Sequence, residues 1–481
     1  MTDLDDALRL NRKLTRERKT LERNDNYFEG EQPLKFVAPV LERELGYRVS
    51  PIVLNLALFA VDVYDHRLDI EGFRVQSTER TTIGADGAFT RGVIGNTSAD
   101  VDVRDVWQEN EGPMLSEQVH REGLALGRGY AMVGSGETKD DAPVLTIESP
   151  FDAIHEDDPR TKRVARGLKR WTEPDNTRWM TLLRGDGSSV TWRRKGSEWQ
   201  EEEQTPENEQ RLCALVPLAN DYRMLGRARP GKFDQRLGRS VFHAIISPLD
   251  ALNKFASDMV ISGEFHALPR RWGTGLGTDD FVDEASGKAL DTFSMIAGRM
   301  WGTESEKAKF GQFPEADLSN FHNTIKLLMQ LVAMELGLPA HYLLFQGDNP
   351  PSADAIRSSE AQLVKRAERK QSALSTRWEQ VQRLVLMELG RGADARPKMI
   401  ETTWRDPSTP TIAQKADAIV KLVQAKDSSG RSILPIEQAR EDLGYTDIEQ
   451  ERMRDWDLNA VQDAQIAAAG RELDDAAAGI R

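Results

Sequence analysis

The stretch "LFQGDNPPSADAIRSSE", Leu344 to Glu360, decides how the chain is read. Its centre, Gly347, Asp348, Asn349, Pro350 and Pro351, continues neither helix nor strand, because two successive prolines remove backbone donors and the residues before them favour turn geometry. Both flanks nevertheless have helical spacing. Upstream, over Ser319 to Leu336, the residues Phe321, Ile325, Leu328, Met329, Val332 and Leu336 form one apolar stripe. Leu327, Leu331 and Met334 form a second apolar face, and a helix apolar on two sides must be packed on two sides, in a large core or between subunits. Downstream, Ser352 can cap a long helix in which Ile356, Leu363, Ala367, Leu374, Trp378, Val381 and Val385 make a sustained packing seam. The pattern is helix, deliberate break, helix.

Farther upstream, Val241, Ile245, Leu249, Leu252, Phe255, Met259 and Phe265 read as one helix from Ser240 to Ala267. Ser240 can cap it, although Pro248 should kink the helix or mark its true start. A segment rich in Gly and Asp, residues 268–318, separates it from the two-faced helix. The N-terminal half is mixed. Leu4 to Phe28 and Pro51 to Asp65 have helical patterns, and Ser98 to Leu126 continues them. Strand-like runs follow: "GYAMVGSGE", "PVLTIESP", "DAIHED", "VARGLKRWTE", "RWMTLLRGDGSSVTWRRKGSEWQ" and "LCALVPLAND", with "RGDGSS" as a hairpin turn. The fold class is therefore α+β and predominantly helical. A last helical unit, Thr411 to Ala468, runs into the small, charged tail "AAAGRELDDAAAGIR".

The 481 residues, 39% apolar and 30% charged, can bury sizeable cores in several units. Cys213 is the only cysteine, which excludes an internal disulfide and a multi-cysteine zinc site and fits synthesis in a reducing cytoplasm. The N-terminus "MTDLDDALRL" lacks a secretory signal, and the run "PIVLNLALFAV" is too short for a bilayer, so no membrane span is expected. A net charge of −14 argues against a surface built throughout to grip phosphates. The charge is uneven: Pro159 to Lys195 is strongly basic, while Gly196 to Gln210 carries six Glu and no base. Such blocks are solvated faces or complementary surfaces between copies or partners.

No motif supports catalysis. "GRARPGKF", Gly226 to Phe233, has the glycine spacing and lysine of a phosphate-binding loop, but Phe233 stands where a Ser or Thr must hold magnesium. "GRGYAMVG" puts Met132 where a third glycine belongs. The seven histidines form no ligand pair, and the Asp157–Asp158 and Asp279–Asp280 pairs sit in turn-like surroundings. Trp171, Trp179, Trp192 and Trp199 alternate with arginines, which could stack single-stranded bases but is commoner on an amphipathic strand. Catalytic residues, metal ligands and cofactors are expected to be none.

The ordered phrases "NDNYFEGEQPLKF", "SPIVLNLALFAVDVYDHRLDIEGFRV", "VPLANDYR", "GRSVFHAIISPLDALNKFASDMVISGEFHALPRRW" and "NPPSADAIRSSEAQLVKRAERKQ" resemble the portal proteins of long-tailed double-stranded DNA bacteriophages, over nearly the whole chain. The resemblance implies a portal fold of wing, stem, clip and crown assembling as a ring, usually dodecameric, at one capsid vertex. Laid on this chain it gives a wing over 1–238 and a first stem helix over 239–267. A clip over 268–318 and a second stem helix over 319–338 follow. Then come a tunnel loop over 339–351, a long helix with wing return over 352–410, and a crown with its tail over 411–481. It implies a channel that passes DNA without sequence preference, through which the genome is packaged and ejected. The loop would line it with Gln346, Gly347, Asp348, Asn349, Pro350 and Pro351. The implied subunit interface in the stem holds Leu328, Val332, Leu249 and Phe255, and Trp272 and Trp301 would mark the clip's partner surface. Implied partners are the terminase large subunit, the head–tail adaptor or head completion protein, and the major capsid and scaffolding proteins. The implied location is the virion's portal vertex, after synthesis in the bacterial host. The absence of Lys and Arg between Leu343 and Ala355 departs from a loop that attracts phosphates. Two other readings stay open to the sequence: a nucleic-acid enzyme, which would need a carboxylate cluster or phosphate loop that the sequence does not show and which a nuclease or ATPase assay would reveal, and a helical capsid adaptor or scaffold without a channel, which images without a ring would favour.

Overall fold

A computed structural model describes residues 2–35, 52–75, 98–136, 141–223, 237–267, 271–274, 309–312, 318–343, 353–396, 400–408, 412–445, 449–460 and 462. The chain divides into two compact units, Met1–Pro407 and Ser408–Arg481.

In the first unit, α1 spans Asp3–Glu29 and opens with a capping box in which Thr2 and Asp5 satisfy each other's backbone donors. Helix α2, Leu56–Asp65, starts at the cap Asn55, four residues after the Pro51 expected from sequence, and leads into strand β1, Ile70–Val75. The pattern over Ser98–Leu126 proves to be two helices, α3 Ser98–Glu109 and α4 Gly112–Leu126. The chain turns between them at Glu111, which has a positive φ of 53°, and Pro113 restarts the helix in its first turn, where a missing N–H costs nothing.

Strands β2 Arg128–Gly134, β3 Val144–Glu148, β4 Ala153–Asp157, β5 Val164–Thr172, β6 Arg178–Arg184, β7 Ser189–Lys195, β8 Glu198–Thr205 and β9 Leu215–Ala219 follow. They form an antiparallel sheet β3–β2–β9 and an antiparallel meander β4 to β8, in which "RGDGSS" is the β6–β7 hairpin and β8 is an edge. Leu168, Met180, Leu182, Val190 and Trp192 pack under Ala7, Leu10 and Leu14 of α1. Leu183 and Ala153 instead meet Tyr130 and Leu215 of the smaller sheet and Cys213 just before β9. The sheets approach closely at Gly167, where a Cβ would lie 2.8 Å from Leu215 Cδ2.

Helix α5, Ile246–Ala267, begins six residues later than Ser240. The intervening residues are a turn in which Ser240 Oγ accepts from the Phe242 amide, and Pro248 falls in the first helical turn, where proline is tolerated. Two short strands, β10 Arg271–Thr274 and β11 Lys309–Gln312, pair antiparallel and tie together the two ends of the segment expected to be the clip. Helix α6 spans Ser319–Leu336 and is followed by a short 3-10 turn, Ala340–Tyr342. Helix α7, Ala353–Glu388, precedes strand β12, Ile400–Trp404. Strands β12 and β1 pair antiparallel, joining chain positions that the sequence does not mark as strands.

The main core gathers Tyr64, Leu124, Leu249, Leu252, Val332, Leu336 and Leu363 from α2, α4, α5, α6 and α7, with Phe242 from the turn before α5. A second cluster centres on Trp378. There Trp107 and Trp378 meet edge to face at 5.3 Å, and Trp378 Nε1 donates to His120 Nε2 at 2.8 Å. The second unit contains α8, Ile412–Gln424, and α9, Ile436–Asp442, with Arg440 paired to Asp457 at 2.7 Å. No helix among the described residues is long and apolar enough to cross a membrane.

Candidate functional site

The site is the antiparallel pair α5 and α6 together with the ends of the helical break. Phe255 and Phe321 meet edge to face at 6.5 Å near one end of the pair, while Leu249 and Leu252 share the core with Val332 and Leu336 toward the other. Of the four residues expected at a subunit interface, Leu249 and Val332 are each 0% exposed in the chain's own core. Within the chain both pack in the main core, where α2, α4 and α7 cover them. Leu328 is partly buried against the same cluster, and Phe255 is half-buried against Phe321.

The other face of α6 is largely exposed among the described residues. Leu327, Leu331 and Met334 are 55%, 39% and 64% exposed and follow one another at four and three residues, a single stripe on the helix. Three apolar residues presented together along a helix mark a contact surface more than scattered exposed side chains do.

Where α6 ends, Gly337 takes the left-handed conformation, φ 69°, that closes helices, and its amide donates back to Ala333 and Met334 carbonyls. Tyr64 Oη donates to the Leu336 carbonyl at 2.5 Å and Arg366 Nη1 to the Glu335 carbonyl at 2.8 Å, so two side chains from other helices satisfy the last turn. Beyond it Tyr342 Oη donates to Glu360 Oε1 at 2.7 Å and accepts from Arg67 Nη2 at 3.1 Å. Burial, then the bond to the glutamate, raises the Tyr342 phenol above its usual range, which keeps it a donor. The chain is thus pinned on both sides of residues 344–352.

The loop residues Gln346, Gly347, Asp348, Asn349, Pro350 and Pro351 lie outside the described residues, as do Trp301 and the motif Gly226–Phe233. Trp272 is in β10, and its side chain is likewise outside the description. The tryptophans separate by face. Trp192 is in the core under α1, whereas Trp171 and Trp179 stack on each other at 5.7 Å and 1°, with Lys169 Nζ 5.7 Å from one ring and Arg193 5.6 Å from the other.

Burial pushes the Cys213 thiol up to about 12, far from a nucleophile's range. His120 is buried and pushed down to about 3, so it stays neutral and accepts from Trp378. No cluster of His, Cys, Asp and Glu among the described residues could hold a metal ion. Sequence reasoning missed the pairing of Tyr342 with Glu360, eighteen residues apart; their positions at the two helix ends flanking the proline break were the only signal.

The family model for "Phage portal protein, SPP1 Gp6-like" matches residues 8–456. The portal protein of Mycobacterium phage L5 is 28% identical over 449 residues, 91% of this chain and 85% of that protein. That of Mycobacterium phage D29 is 29% identical over 447 residues, with the same coverage. Among solved structures, a chain from the neck of an empty GTA particle computed with C6 symmetry has a TM-score of 0.43 at 14% identity, over 87% of this chain and 96% of that one. A chain from the virion of a native gene transfer agent particle has a TM-score of 0.39 at 14% identity, over 89% and 94%.

Proposed function

The chain belongs to the phage portal protein family, and from that premise we propose that it is the ring-forming channel subunit at one capsid vertex, through which double-stranded DNA is packaged and ejected. The observation that carries this reading is the stripe Leu327, Leu331 and Met334, apolar and uncovered on a helix whose opposite face is already buried. A head-to-tail ring needs each subunit to offer two different surfaces, and this stripe supplies one of them. In this reading α5 and α6 form the stem and residues 268–318 the clip. The clip, with Trp272 and Trp301, meets the terminase large subunit during packaging and a head completion protein afterwards. Capsid and scaffolding proteins surround the wing, and the unit Ser408–Arg481 forms the crown.

Residues Gln346 to Pro351 project into the channel in this reading. The bond from Tyr342 to Glu360 supports a shaped loop, since it ties the turn before the loop to the first turns of the helix after it. With no Lys or Arg between Leu343 and Ala355, the loop meets DNA without adding phosphate attraction, which suits sliding. Two measurements test the proposal. Class-averaged top views of purified protein should show a closed ring with a central hole; particles without one would support a capsid adaptor instead. Heads built with Asp348 and Asn349 deleted should contain normal rings but retain altered lengths of DNA. Full-length genomes at normal yield would sink the loop's role.

A further inference from the structure

One cavity lies apart from the α6 stripe. It has a volume of about 550 Å³ and opens among the end of α6, the middle of α7, and the residues between β9 and α5. Arg239, Arg366, Arg369 and Lys370 line it, together with two carboxylates, Asp221 and Glu335. The four cations are not equally satisfied. Arg239 pairs with Asp221 at 2.5 Å, whereas Arg366 donates to the Glu335 carbonyl and interacts with the Tyr64 hydroxyl, both uncharged groups. Lys370 donates to the neutral Asn220 Oδ1 and stands 5.0 Å from the Tyr64 ring. Arg369 is exposed at the mouth. Among the described residues, no carboxylate forms an ion pair with Arg366, Arg369 or Lys370. Burial pushes Lys370 down to about 8, against a partial pull from Asp221 and with repulsion from Arg366 and Arg239 adding to it.

Three basic groups spaced i, i+3 and i+4 on one helix repel one another, and an arrangement of this kind is relieved by an incoming anion. The anion's source is narrowed by what else stands there. Asp221 and Glu335 at the same cavity oppose a run of phosphates, while a single side chain can reach between them. A duplex presents its phosphates on a convex surface, which suits an open basic face better than a concave cavity. A protein carboxylate fits better, and the chain itself offers a source. Strand β8 is one edge of the five-stranded sheet, and Glu198, Glu201 and Glu203 on it are exposed with no ion-pair partner among the described residues. Only Glu202 is paired, to Arg193 at 2.9 Å. The acidic edge also discourages indiscriminate strand pairing, so its charges are compatible with a specific contact.

We propose that the cavity walled by Arg366, Arg369 and Lys370 binds glutamate side chains of the β8 edge of a second copy of this chain, as an electrostatic contact between neighbouring subunits. The inference rests on the ring reading above, and it supplies two different surfaces, one basic and concave, one acidic and convex, as a head-to-tail contact demands.

Charge reversal in the full-length protein tests it. Arg369 is exposed, so Arg369→Glu should leave the fold intact, as should Glu201→Lys with Glu203→Lys. Each variant should raise the subunit concentration for half-assembly about tenfold and lower the salt concentration at which rings come apart, as expected for a close interfacial charge pair. Combining all three substitutions should restore assembly to within about threefold of the wild type, a recovery that a misfolded subunit would not show. Mass photometry across a salt series reads all of these. Wild-type protein that forms no ring overturns the ring reading and this contact with it. Wild-type rings with Arg369→Glu rings of unchanged concentration and salt dependence overturn the contact alone. So does failure of the combined variant to recover, with a duplex oligonucleotide bound by the wild type and lost in Arg369→Glu, which would assign the cavity to phosphate.

Discussion

Tyr342 Oη donates to Glu360 Oε1 at 2.7 Å, which ties the turn after α6 to the first turns of α7. A hydrogen bond to a charged acceptor contributes about 1.5–3 kcal/mol when well aligned. Glu360→Ala should therefore leave ring formation intact while loosening the start of α7. Amide hydrogen exchange over residues 353–360 should accelerate roughly tenfold, the measure of about 1.4 kcal/mol. Unchanged protection there would mean that the bond does not hold the loop's exit.

The two faces of α6 should respond differently to substitution. Leu331→Asp places a charge where the chain alone is open to water, so the isolated subunit should unfold within about 0.5 kcal/mol of the wild type. Its assembly should fail, because the same charge would be buried in a subunit contact. Val332→Ala, one residue on, should cost about 1–3 kcal/mol of fold stability from the cavity it leaves. Urea denaturation and sedimentation, run on both variants, separate the two effects. A Leu331→Asp subunit that still assembles would remove this face from the interface.

Periodicity showed that α6 has two apolar faces but not which one its own chain covers. Val332 and Leu331 are equally apolar, and only the positions of α2, α4 and α7 distinguish them. The β6–β7 hairpin was legible because its turn chemistry is local. The start of α5 was half legible, since Pro248 marked it but Ser240 competed for the cap. The β1–β12 pair was not legible: "IEGFRV" and "IETTW" acquire strand structure from each other, at a separation no local pattern spans. The basic cavity was hidden for the same reason, because Arg239 joins it from a distant loop. On α7 alone, Arg366, Arg369 and Lys370 look like a solvated face.

Stability should fall with rising pH through one buried carboxyl. Burial raises Asp65 to about 7, against the partial pull of Arg121, with its Nη1 3.7 Å away. A folded pKa above the unfolded one means stability that is fully present below about 4 and is lost as pH rises toward and through 7. The wild type should lose on the order of 1–3 kcal/mol between pH 5 and 8 from this group. Asp65→Asn should flatten that slope, as read by urea midpoints at each pH. A variant with the wild-type slope would assign the loss elsewhere.

Arg128 is fully buried, and its Nη2 donates to Glu17 Oε2 of α1 at 2.6 Å while its Nε donates to Tyr130 Oη at 2.8 Å. Removing the acid leaves a cation in the core, so Glu17→Ala should destabilise the subunit by about 3–5 kcal/mol in chemical denaturation. A loss below about 1 kcal/mol would show that water reaches Arg128.

The pairing of Val75 with Ile400 also sets a timetable for synthesis. A ribosome adding about 5–20 residues per second makes β12 roughly 16–65 s after β1. Throughout that interval β1 waits without its partner, and Arg405, which pairs with Asp69 at 3.0 Å, has not yet been made. A truncated translation product cannot close this part of the fold.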